Sequence, residues 1–453
     1  MQLSKTLKCS VKQTISNLSS SKPPIVAIRA NDLCFMGILR TIEHAGFDPI
    51  CVHFTWKGAG PWLSDKSRHW KNTVEITNPA ESPAKAATEL AFLGNAILEN
   101  SNQKSLLVPS SDTAQKLLFE YEDELRPYFN IYGEPNFNSF RYEVTHKGKF
   151  FTSLNDHLPD LCPETILIQK DDSFANLDEL TKYPYVIKPA AKDFTQSFYR
   201  LNNGKKAITV SNVNQAKTTL NFLLKTQTEL IVQEKIPFDS VDHEVPVYCY
   251  FDRSSKLRMI ATGRKNLIYP SEFGTAIVLE LTKSEFLREH TQRVGKLLRW
   301  SGPLMIEFIR DARSKKFKII EVNTRPWLFH DFYRQHGLDF IGSAFREHCD
   351  FQNGTKLFAS WLDGRVIVEP DEAVLQDNKV VHLDIISYVE HLATSAGIEH
   401  LTSEKIIGSI KRLGSDITFA QGSKDDFGPY QAGIRFLSDR YNLDPEPLIE
   451  LVR

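Results

Sequence analysis

No stretch of this 453-residue chain is apolar for long enough to cross a bilayer, and the opening MQLSKTLKCSVKQTISNLSSSK holds no continuous apolar run of the secretory type. Membrane association and export are therefore not expected, and the cytoplasm is the expected compartment. The six cysteines (Cys9, Cys34, Cys51, Cys162, Cys249, Cys349) include no CxxC pair. That spacing argues against a disulfide framework or zinc site and for reduced, mostly buried thiols. An excess of one charge is also missing: 55 Lys and Arg stand against 56 Asp and Glu. No global field favours nucleic acid or an anionic surface as a partner. No GxGxxG follows the first strand candidate, which removes the dinucleotide fingerprint. Neither a Ser–His nor a Cys–His pair occurs at a recognisable motif, and no internal repeat is visible.

What remains is an ordinary globular composition in a chain long enough for two to four structural units. The Ser-rich stretch Ser16 to Ser21, closed by Pro23-Pro24, makes residues 1–22 a flexible lead-in. A strand over Ile25 to Ile28, an amphipathic helix over Phe35 to His44 stopped at Gly46, and a strand over Pro49 to Phe54 follow. This order is the signature of a parallel sheet. Leu106 to Pro109 is a further strand, ending in Ser110-Ser111-Asp112. Those residues stand where open α/β sheets bind ligands, or they simply cap the next helix. Residues 23–135 are thus expected to form an N-terminal α/β domain. Beyond Pro135 a helix is expected over Lys147 to Leu158, with strands over Thr165 to Gln169 and Tyr185 to Lys188. From Thr228 on, the pattern predicts successive β-hairpins, interrupted by a helix from Ser284 to Trp300. Residues 346–453 read as a mixed extension, helical near Leu383 to Ala396.

The strongest chemistry lies in GPLMIEFIRDARSKKFKIIEVNTRP. Strands over Leu304 to Arg310 and Phe317 to Asn323 flank a turn, and folding about Ser314 sets Glu307 opposite Glu321. Asn323, two residues on, shares that face, while Ile306, Phe308, Ile320 and Val322 are expected in the core. Opposed carboxylates repel unless a cation intervenes. Mg²⁺, or Mn²⁺, suits such an all-oxygen donor set. Arg325 adds a planar cation matched to phosphate or carboxylate. The plain alternative is a solvated hairpin face, with its charges paired to Arg310 and Lys318.

This E…EVNTRP hairpin resembles the metal-binding end of ATP-grasp enzymes, and upstream segments fit the same order over about residues 24–345. YPYVIKPA looks like the strand whose lysine, here Lys188, binds nucleotide phosphates; THKGKFF would present a second lysine, Lys147, with Lys149 the lesser match. LIVQEKIPF is similar to the segment that meets adenine, which implies Gln233, Glu234 and Ile236 as contacts. GRKNLIYPSEFGTAIVLE and EVNTRPW are similar to the carboxylate–amine ligase group that includes D-aspartate ligase-like proteins. The resemblance implies an ATP-grasp domain over 136–345 with a lid at about 184–232. It also implies ATP and Mg²⁺ as cofactors, with a small carboxylate and an amine, such as amino acids, as substrates. A homodimer is compatible with it. The chain departs from the pattern in AAKDFTQSFYR, where many relatives carry a glycine-rich phosphate loop; Lys192, Ser197, Arg200 or Lys206 could compensate. Leu267 stands where the subgroup often has arginine, with Arg264 and Lys265 as substitutes.

Read by themselves, Asp242 and Glu244 are candidates for ribose hydroxyls or else solvated loop carboxylates. Lys188, on an apolar strand, either binds phosphate or snorkels to solvent. His330 is close enough in sequence to the hairpin to touch substrate, although a structural or surface histidine is the commoner outcome. The expected activity is amide formation through an acyl phosphate. An ATP-grasp kinase or carboxylase, or a silent nucleotide-binding protein, stands as the alternative.

Overall fold

The computed structural model describes residues 3–18, 24–55, 62–133, 144–191, 194, 197–202, 205–240, 243–271, 273–283, 285–349, 368–370, 375, 380–414 and 416–452. The first unit is a five-stranded parallel sheet of β1 (Ile25–Arg29), β2 (Pro49–Phe54), β3 (Thr73–Ile76), β4 (Ser105–Pro109) and β5 (Phe129–Asn130), in the order β3-β2-β1-β4-β5. Strands β1 and β4 are buried on both faces, as continuous apolar runs in a covered parallel sheet must be. Because β1 is central and the chain leaves it toward opposite edges, the turns after β1 and β4 open a crevice at their carboxyl ends. Asn31 there caps helix α2 (Asp32–His44) and Ser111 caps α4 (Asp112–Glu120).

The N-terminus departs from the flexible segment expected over residues 1–22. Residues Lys5–Ser16 form helix α1, whose Ser4 side chain accepts from the Leu7 N–H. Leu7 and Val11, one turn apart, are buried against the first domain. Two such side chains contribute about 1.5–3 kcal/mol each, which outweighs the weak helix propensity of KTLKCSVKQTIS.

The second sheet is antiparallel and has four strands: β6 (Thr165–Gln169), β7 (Tyr185–Pro189), β8 (Ile208–Val210) and β9 (Glu229–Glu234), in the order β6-β9-β7-β8. The third carries β10 (Glu244–Phe251), β11 (Leu257–Tyr269), β12 (Thr275–Thr282), β13 (Gly302–Arg310), β14 (Phe317–Asn323), β15 (Val380–Leu383) and β16 (Asp416–Phe419), in the order β14-β13-β10-β11-β12-β15-β16. One reading is corrected here. Strand β9 does not form a hairpin with β10: it pairs with β6 and β7, while β10 pairs with β11 and β13. From residue 380 on the chain joins the third sheet, where β15 pairs with β12 and brings β16 with it. Residues 385–452 then build their own apolar cluster on that edge, around Tyr388, Ile406, Tyr430 and Ile434.

Cys34, Cys51, Cys162 and Cys249 are buried. Burial pushes the first three thiols up to about 12, so they are inert at neutral pH. No helix of the described residues is long and apolar enough to cross a membrane.

Candidate active site

The hairpin β13–β14 closes in the expected register, with Glu307 paired to Glu321 and Met305 to Asn323. Beyond Glu307 the register slips by one residue, so that Phe308 pairs with Ile319. The bulge changes one expectation. Ile319, not Ile320, enters the core, and Ile320 is turned to line the cleft beside Glu321. An extra residue on one strand reverses side-chain alternation on that strand past the bulge. Ile306, Phe308 and Val322 are buried as read.

Around this face the fold gathers a cleft of about 420 Å³. Lys147, Lys188, Lys206, Glu244, Lys265, Glu307, Glu321, Asn323 and Arg325 all line it. Each opposed carboxylate has a lysine: Lys147 Nζ lies 2.6 Å from Glu321 Oε1, and Lys265 Nζ lies 3.2 Å from Glu307 Oε1 and 2.6 Å from Glu244 Oε1. Burial disfavours the charge on Lys265, but Glu307 and Glu244 outweigh it and hold its pKa above the ordinary value. Lys188 is treated differently. Burial, then the charge of Lys147, lowers it to about 8, against the pull of Glu321, Glu307 and Glu244. Its ammonium donates to Gln233 Oε1 at 3.0 Å, and Gln233 is itself held by Thr165 Oγ1. Lys206, at the rim, donates to Thr275 Oγ1 at 3.2 Å.

Arg325 leaves β14 toward the first domain. It donates to Asp112 Oδ1 at 2.5 Å, to the Pro326 carbonyl at 3.0 Å and to Asn323 Oδ1 at 3.4 Å. Burial lowers its pKa, but a guanidinium starts high enough to stay charged. Asn31, Ser110, Ser111 and Thr113 complete that wall, so the crevice of the parallel sheet opens into the cleft. Ser111 both caps α4 and faces the cleft, so the two sequence readings coexist.

Other candidates fall elsewhere. Gln233 reaches the cleft only through Lys188. The Glu234 carboxylate is held by Arg313, and Ile236 is buried outside the cleft lining. Asp242 and Lys192 lie outside the described residues. Ser197 accepts from Gln227 at 2.6 Å, Arg200 is exposed, and Arg264 pairs with Glu280 at 3.1 Å. His330, read as a substrate contact, is instead 2% exposed and packed on α2 at Gly37, and burial lowers its pKa to about 4. The helix it begins, His330–Gln335, docks against α2, so the side chain points into the domain junction. The sequence reading missed the aromatic wall of Tyr248, Phe273, Trp327 and Phe329. Trp327 follows the quoted motif directly and was in view. Tyr248 carried no signal, because its strand is apolar on both faces.

Among the described residues, no group of three or more His, Cys, Asp and Glu side chains is arranged to hold a metal. The hairpin offers two carboxylates and one amide oxygen, a hard donor set that fits Mg²⁺ or Mn²⁺ completed by phosphate and water rather than a softer metal. The lysines on Glu307 and Glu321 show that the pair needs a positive counter-charge.

No family model and no curated protein sequence matches the chain. Its fold does have solved counterparts. The L-amino acid ligase from Bacillus licheniformis superposes with a TM-score of 0.52 over 77% of this chain and 78% of that one, at 14% identity. The chain has the ATP-grasp fold. At such identity the likeness shows the fold alone. The N5-carboxyaminoimidazole synthetase from Staphylococcus aureus (12% identity, 73% and 80% covered) and the biotin carboxylase from Campylobacter jejuni (14%, 75% and 73%) both reach 0.49 and carry no further weight. In ATP-grasp terms, the four-stranded sheet and the β10–β14 body face each other across the lysine-lined cleft.

Proposed function

We propose that the protein is an ATP-dependent carboxylate–amine ligase, forming an amide or peptide bond through an acyl phosphate. The observation that carries this is the opposed Glu307–Glu321 pair with Asn323, set in one cleft with Lys147, Lys188, Lys265 and Arg325. Among the described residues, the cleft lining includes no histidine or cysteine. Such a site suits direct phosphoryl transfer to a bound oxygen, which requires positioning and charge stabilisation rather than a protein nucleophile.

Glu307, Glu321 and Asn323 would hold Mg²⁺, which neutralises phosphate charge when bound. Lys147 and Lys188 hold the triphosphate from two sides, and Lys206 reaches in from the rim. Glu244, on the cleft wall, would accept from ribose hydroxyls. The substrate carboxylate attacks the γ-phosphorus and ADP departs. The amine then attacks the acyl carbon, Arg325 stabilises the developing oxyanion, and phosphate and a proton leave. An acyl phosphate hydrolyses in bulk water, which gives the four-stranded sheet its role as a lid.

ADP formation should require the carboxylate, and hydroxylamine should trap the acyl phosphate as a hydroxamate. A stable phosphorylated product that resists hydroxylamine would replace the ligase by a kinase; nucleotide binding without ADP release under a screen of amino acids and small carboxylates would leave a silent binder. The reading places the protein in the cytoplasm, with small-molecule partners and no membrane or nucleic acid. Sizing chromatography tests the homodimer that it allows.

A further inference from the structure

The helix Lys147–His157 starts with its capping residue, His146, whose Nδ1 accepts from the Lys149 N–H at 3.2 Å. A neutral imidazole that accepts at Nδ1 carries its proton on Nε2. That atom lies 2.8 Å from Glu229 Oε2, so the ring donates to the first residue of β9. This hydrogen bond is the largest cause holding the Glu229 carboxyl below its ordinary range. The backbone closes the same ring. The Lys147 N–H donates to the Ala190 carbonyl at 2.5 Å, the Ala190 N–H donates to the Glu229 carbonyl at 3.2 Å, and His146 bridges Ala191. Three segments far apart in sequence thus meet at the neighbours of both phosphate lysines, since Ala190 lies two residues past Lys188.

We propose that the His146–Glu229 pair is a positioning clamp for nucleotide binding, fixing the start of the Lys147 helix to the small sheet so that Lys147 and Lys188 reach the same triphosphate. The inference rests on the reading of those lysines as phosphate contacts. Its physical ground is that a lysine ammonium on a four-carbon stem is a poorly oriented donor unless its backbone is fixed. The chain also has no glycine between Lys188 and Gly204 to let backbone amides close on phosphate, so more of the task falls to the lysines. Both members of the clamp are partly exposed, at 15% and 29%, and neither lines the cleft.

The test is calorimetric titration of the full chain with the β,γ-imido analogue of ATP and Mg²⁺. His146→Asn keeps an oxygen that can cap the helix but is too short to reach Glu229; Glu229→Ala removes the partner. Each should lose about five- to tenfold in affinity, the double variant no more than the worse single one, because one interaction is being removed. Glu229→Gln can still accept from Nε2 and should stay within about twofold of wild type, a rescue that a general loss of packing would not show. Lys147→Ala is the control. If it loses affinity while His146→Asn and Glu229→Ala do not, or if the two losses add, the clamp is overturned and the phosphate reading stands. Unchanged affinity in Lys147→Ala takes down both.

Discussion

At the junction of the first domain with the C-terminal segment, Arg40 is enclosed by acceptors: Asp426 Oδ2 at 2.9 Å, Asp331 Oδ2 at 3.5 Å and the carbonyls of Ala420 and Gln421. Asp426 in turn accepts from Ser67 Oγ and the Arg68 N–H. In the cleft, Lys147, Lys188 and Lys265 are half-buried among opposite or polar groups, and all three border open volume. The energetic signs differ accordingly. Burial opposes ionisation of Asp331, but Arg40 and Arg334 overcome it and hold its carboxyl below the usual range. In the cleft the outcome is divided: the carboxylates outweigh burial at Lys265, while burial wins at Lys188. A network whose members satisfy one another holds two domains together and has little left to offer a ligand. A network whose cation is held at an electrostatic cost is relieved when a triphosphate arrives.

That contrast can be broken from either side. The largest effect is expected in the cleft: Glu321→Gln and Asn323→Ala should each lower Mg²⁺-dependent ADP formation by about a hundred- to a thousandfold or more, with thermal melting unchanged. Wild-type-like rates in both at low millimolar Mg²⁺ would end the metal assignment. At the junction the reverse holds. Asp426→Ala removes the nearest counter-charge of a buried guanidinium and should cost about 3 kcal/mol in chemical denaturation, while nucleotide affinity of the folded fraction is unaltered. A loss below about 1 kcal/mol would mean that the junction is as loose as a surface pair.

Lys188→Ala should weaken ATP binding about ten- to a hundredfold, as expected for a charge-assisted contact of about 1.5–3 kcal/mol, and melt near the wild-type temperature. Its pH dependence sharpens the point. With a folded pKa of about 8 against 10.5, the unfolded chain holds the extra proton between those values, so stability rises with pH across that window. ATP affinity should fall over the same rise, as the ammonium is lost. Lys188→Met should flatten both slopes, and slopes identical to wild type would remove Lys188 from the phosphate site.

A last effect, read as a pH slope rather than as a loss at neutral pH, lies with His330 and His382, buried beside the junction and, among the described residues, without hydrogen-bond partners for their rings. Burial lowers them to about 4 and about 3. Their folded values lie below 6.5, so this stability is present above pH 6.5 and is lost as the pH falls toward 4. Each contributes a slope of up to about 1.4 kcal/mol per pH unit. His382→Leu should make acid unfolding shallower, and an unchanged urea midpoint profile from pH 7 to 4.5 would contradict it.

Much of the cleft was legible because it is written locally. A strand repeats every two residues and a short turn sets its register, so Glu307 opposite Glu321 follows from counting about Ser314. The same counting failed at Ile320, because a bulge depends on what the strand packs against rather than on its own spacing. Helix α1 was missed for a different reason: Leu3, Leu7, Val11, Ile15 and Leu18 recur every three or four residues and pack on the first domain, but the polar, Ser-rich composition around that stripe masks it.

By itself, then, the order of residues determined the parallel sheet at the start, the strand that carries Lys188, the helix that carries Lys147, and the hairpin of carboxylates. In each, the periodicity lies within one element or within neighbouring elements along the chain. Only the tertiary structure decided that β9 belongs with β6 and β7, that β15 and β16 complete the β10–β14 sheet, that Trp327 and Tyr248 meet at 4.9 Å with tilted rings on the cleft wall, and that Arg40 meets Asp426. Those contacts join segments tens to hundreds of residues apart, and closing such loops costs entropy that only the burial of whole surfaces can offset. No local pattern records which surfaces will meet.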